Sequence, residues 1–64
     1  MEKFEYRILK CDAEGTFNPK IDFEDVENRL NWLGKEGWEL VNSFINSSIG
    51  VEVSVTCILK RKID

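Results

Sequence analysis

The chain has 64 residues, with 9 Lys and Arg against 12 Asp and Glu, two cysteines and no histidine, for a formal net charge of −3. That length makes one small α+β domain, residues 1–64, whose lone core is marginal, so self-association is the expected source of further burial. The composition excludes a four-ligand Cys/His zinc site and any Ser–His or Cys–His nucleophile pair, and its acidic balance does not favour a nucleic-acid footprint.

Residues Lys3–Cys11, KFEYRILKC, alternate Phe4, Tyr6 and Ile8 with Glu5 and Arg7. This period of two predicts a half-buried strand. The segment DAEGTFNPK, with Gly15 and Asn18-Pro19, is rich in turn formers and reads as a loop.

A helix is expected from Phe23. Asp22 is its N-cap, Asp25 stands three residues on as a weak capping-box partner, and Ile21 and Val26 occupy the positions of a hydrophobic staple. Glu24, Asp25 and Glu27 suit the positive end of the helix dipole. Val26, Leu30 and Leu33 form the apolar stripe, with Phe23 at its edge. Trp32 points to the opposite, charged side, which suits a partner contact; the alternative is cover by the Asp12–Lys20 loop.

The stretch GKEGWELV follows. If Gly37 takes the left-handed position beyond the last turn, Leu33 and Trp38 become the hydrophobic pair of a Schellman motif. Gly34 then lies inside the helix, where a missing side chain would let helix and sheet approach. A helix ending at Gly34 is the competing reading. A phosphate loop is rejected, because these glycines follow a helix, where carbonyls and the negative dipole end repel anions.

Trp38–Asn46 reads as a second strand, with Trp38, Leu40 and Phe44 on one face and Val41 and Ile45 on the other. NSSIG is a turn, and Val51–Arg61 alternates Val51, Val53, Val55, Cys57 and Leu59 against Glu52, Ser54, Thr56 and Ile58. The expected order is β-α-β-β: a three-stranded antiparallel or mixed sheet with strand three central and one helix on one face. That face should gather Phe4, Tyr6, Ile8, Trp38, Leu40, Phe44 and the apolar residues of strand three. Cys57 belongs to it and Cys11 to the opposite face, so two free thiols are expected.

The run LNWLGKEGWELV, the first strand KFEYRIL and the terminal ILKRK resemble a small bacterial family catalogued as domain of unknown function 4177. The resemblance covers nearly the whole chain and centres on EGWELV. It implies the same β-α-β-β fold and an origin in bacteria or phage. It brings no catalytic or cofactor residues, and Trp32 departs from its pattern.

The second sheet face should then carry Leu9, Val41, Ile45 and Ile58 among charged and hydroxyl side chains, a mixture suited to contact between copies. Lys60-Arg61-Lys62 reads as a solvated strand end, and Glu2, Glu5, Glu39 and Glu52 as solvated carboxylates. No apolar run approaches the roughly 20 residues of a membrane span, and the N-terminus lacks the apolar core of a signal peptide. The expected protein is a cytoplasmic, non-enzymatic interaction module without cofactor. It forms a homo-oligomer of two or more copies or meets an unknown protein partner. The alternatives are a single-strand nucleic-acid binder stacking bases on Tyr6, Phe17 and Trp32, and an oligomer with a small-molecule pocket between subunits.

Overall fold

The computed structural model describes residues 1–63, apart from the side chain of Glu52. The elements run β1 (Lys3–Asp12), α1 (Phe23–Lys35), β2 (Glu39–Ser48) and β3 (Val51–Ile63). The sheet order is β1-β3-β2, and both pairings are antiparallel. Strand three is therefore central, as its length and apolar character predict, and the mixed arrangement does not occur.

Both ends of α1 follow their local sequence signals. The Asp22 carboxylate accepts from the Asp25 amide at 3.1 Å, and the Asp22 carbonyl accepts from Val26 at 3.1 Å. At the other end Trp38 donates to the Leu33 carbonyl at 3.1 Å and Gly37 to the Gly34 carbonyl at 3.0 Å. These are the two bonds of a Schellman motif, with Gly37 at φ +92° and both Leu33 and Trp38 buried. An added Cβ at Gly34 would meet nothing within 4 Å, so this glycine does not serve close helix–sheet packing.

The core is Ile21, Val26, Leu33, Trp38, Val55, Cys57 and Leu59, edged by Leu9, Cys11, Ala13 and Leu30. This corrects the faces expected for β1 and β2. Leu9 lies opposite Cys57 and Cys11 opposite Val55, so the odd residues of β1 face the helix. Phe4, Tyr6 and Ile8 point the other way. The reason is at the end of the strand: Leu9, Cys11 and Ala13 are the members that α1 can reach, while Glu5 and Arg7 on the same side serve Trp38.

In β2 a bulge between Leu40 and Asn42 changes the parity. Leu40 opposes Leu59 before it, whereas Phe44 opposes Thr56 and Ile45 opposes Val55 after it. One extra residue, Val41, thus sends Phe44 to the uncovered face and Ile45 to the helix side. A second irregularity lies between Asn46 and Ser47, beside which Asn46 Nδ2 donates to the buried Ser54 hydroxyl at 3.0 Å. The hairpin closes over Ile49 and Gly50, both at positive φ, as a two-residue turn of matching twist requires.

Candidate interaction surfaces

Trp38 sits at the centre of a charged sandwich. The Arg7 and Arg61 guanidiniums lie 4.8 and 4.5 Å from its ring centroid. Arg61 donates to Glu5 Oε2 through Nε (3.1 Å) and Nη2 (3.0 Å), and through Nη1 to the Glu36 carbonyl at 3.1 Å. An added Cβ at Gly37 would stand 3.3 Å from Arg61 Cδ. The glycine, the tryptophan and the arginine therefore form one corner: the turn exposes a flat backbone patch, the arginine stem lies over it, and its head closes the helix end. Arg61 is engaged within the chain through all three guanidinium nitrogens, which marks its side of the corner as structural.

Among the described residues, no element covers the face of the sheet away from the helix. Tyr6 is 64%, Ile8 63% and Phe44 48% exposed, with Phe4 and Ile58 beside them. Lys60 Nζ lies 4.7 Å over the Phe4 ring. The strand thus turns its larger apolar residues outward and its arginine and glutamate inward, the reverse of the usual alternation in an antiparallel sheet packed on one face.

Of the residues proposed for one interface, the structure separates all but one from this face. Ile58 belongs to it. Leu9 is half-buried at the core edge, Ile45 lies on the helix side and Val41 occupies the bulge. The aromatic members Phe4, Tyr6 and Phe44 escaped sequence reasoning. Their signal was Asn42, whose break in the apolar alternation of β2 marks the bulge. In β1 the signal was the run Leu9, Cys11, Ala13, which continues the core face into the loop.

Trp32 is 62% exposed. The Phe17–Lys20 part of the loop lies elsewhere, beside Gly50 and Val51, and does not cover it. Trp32 instead lines a cavity of about 370 Å³ with Arg7, Leu9, Asn28, Arg29 and Leu33. Its walls come from α1 and β1 alone. Arg29 is held by Asp25 at 2.9 Å. Arg7 has no carboxylate partner among the described residues.

A family model for a domain of unknown function, DUF4177, matches residues 4–62. The chain belongs to the DUF4177 family. No curated protein and no solved structure matches it. In this DUF4177 chain, no cluster of three or more metal-ligating side chains occurs among the described residues, and no helix there is long and apolar enough to cross a membrane.

The two cysteines of the DUF4177 chain are free, but the expectation of opposite faces is corrected: both face the helix, Cys11 diagonal to Cys57 across the β1–β3 ladder. Burial pushes the Cys57 thiol up from its ordinary value, and a Cys11 thiolate nearby would push it further. Cys57 is therefore not a low-pKa nucleophile.

Proposed function

We propose that this chain is a non-enzymatic, cytoplasmic interaction module that associates with copies of itself through its sheet. The observation that carries the reading is the uncovered face bearing Phe4, Tyr6, Ile8, Phe44 and Ile58. Large apolar residues clustered on an open sheet face mark a contact surface, and a face brought onto its own copy by a two-fold axis is self-complementary by construction. Burying such residues contributes about 25 cal/mol per Å² of apolar area removed from water, the kind of term a small core lacks.

Sedimentation at low micromolar concentration tests the reading. The wild-type chain should sediment as a dimer or larger, and Ile8→Lys with Phe44→Lys, both on the exposed face, should stay folded and shift toward smaller species. A wild-type monomer at that concentration would refute it.

A second reading draws on the same face. Tyr6 and Phe44 are open to stacking, and Lys10, Lys60 and Lys62 belong to the same set of sheet positions, an arrangement that could hold single-stranded nucleic acid. The net charge of −3 opposes it. Salt-dependent binding of a short oligonucleotide, lost with Tyr6→Ala, would favour this reading over self-association.

A further inference from the structure

The sheet has two open edges, and they differ. β2 carries a bulge at Val41, and its ladder with β3 shifts again where Val53 of β3 is skipped; such breaks are a common protection against edge pairing. β1 pairs with β3 from Lys3↔Ile63 to Asp12↔Ser54 without a shift, so its outer edge is equally regular. Ala13 donates to the Val53 carbonyl at 2.7 Å where that ladder continues. Because alternate residues of an antiparallel strand direct their N–H and C=O to opposite sides, Phe4, Tyr6, Ile8 and Lys10 direct theirs to the open edge.

We infer that this edge pairs with β1 of a second copy, antiparallel, with Tyr6 on the two-fold axis. The inference rests on the self-association proposed above and specifies a contact for it distinct from the stacked face. Opposed residues in a sheet share a face, so a β1 residue must stand on the axis. With Tyr6 there, Glu5 meets Arg7 of the second copy, Glu2 meets Lys10 and Phe4 meets Ile8. Centring on Glu5 or Arg7 instead sets like charges against each other on the axis. Centring on Ile8 opposes Arg7 to Leu9, Glu5 to Cys11 and Tyr6 to Lys10, with no ion pair. Of these four registers, the Tyr6 one alone is complementary in both charge and hydropathy.

Two further observations fall into place with it. Arg7 has no carboxylate partner among the described residues, and both Arg61 bonds to Glu5 fall on Oε2, which leaves Oε1 to meet a second arginine. The cavity beside Trp32 is walled by β1, the strand at this edge, and by α1. The second copy's Lys3, opposite Leu9, lays its aliphatic stem beside that cavity, and the two α1 helices flank the axis on one side of a continuous six-stranded sheet.

Cysteine cross-linking in a Cys11→Ser background reads the register. Paired residues that exchange hydrogen bonds lie about 5.5 Å apart at Cα, within disulfide range. Tyr6→Cys, at an exposed site, should oxidise to a covalent dimer at least tenfold faster than Ile8→Cys, with circular dichroism confirming that both fold. Faster cross-linking at position 8 would overturn the register. No enhancement at either position, in protein that sediments as an oligomer, would overturn the edge contact and leave self-association standing. Monomeric sedimentation would remove both.

Discussion

Gly34 and Gly37 lie in one turn of chain, yet their replacement by alanine should move stability in opposite directions. Gly34 is helical with open space around it, so Gly34→Ala should stabilise by up to about 1 kcal/mol through helix propensity. Gly37 holds φ +92° under the Arg61 stem, so Gly37→Ala should destabilise by about 1–2 kcal/mol. Urea titration of the two variants measures both. Arg61→Lys should also destabilise, by about 1–3 kcal/mol, because an ammonium cannot reach Glu5 and the Glu36 carbonyl from one planar fork. At Cys57 the raised thiol pKa has a defined sign. The thiol is neutral in both states below the ordinary thiol range, where its contribution is complete. As pH rises from that range through the folded value, ionisation favours the unfolded chain and the contribution is lost. Native-state alkylation should label the half-buried Cys11 well before Cys57; equal rates would contradict this environment.

The elements were legible where the signal was local. Asp22, Gly37 and the Leu33–Trp38 pair announced the ends of α1, because caps depend on neighbours in sequence. The faces were less legible, because side-chain direction in a strand depends on what the sheet meets. KFEYRIL alternates cleanly, but its apolar members turn away from the helix. The bulge at Val41 reverses the parity of β2 on the strength of one residue. Trp32 was readable as exposed from helix geometry alone, whereas its cavity required Arg7 and Leu9 from another element. The hairpin turn carries a further cost that sequence pattern conceals. Ile49 is β-branched and holds φ +52°, a conformation that asparagine accepts far more readily. Ile49→Asn should stabilise by about 1 kcal/mol, read as a higher urea midpoint with an unchanged slope.

At the scale of the molecule, the Cα positions span 48 × 21 × 11 Å, a plate with one layer of side chains between helix and sheet. A plate has little interior, and its open face leaves burial incomplete. Its thermal midpoint should therefore rise with protein concentration, as it does when folding and association are linked, and Ile8→Lys with Phe44→Lys should weaken that dependence. The sandwich around Trp38 also dictates an order of events. Arg61 belongs to the β2–β3 hairpin, closed by a two-residue turn, while Arg7 arrives on β1 from the far end of the described chain. Short loops close more readily than long ones, so hairpin and helix should form early and β1 should dock late. Trp38 would first acquire one cationic neighbour and later the other. In stopped-flow refolding, Arg7→Ala should leave the folding rate little changed and speed unfolding, which gives the tryptophan a role as a clock for the last strand to arrive.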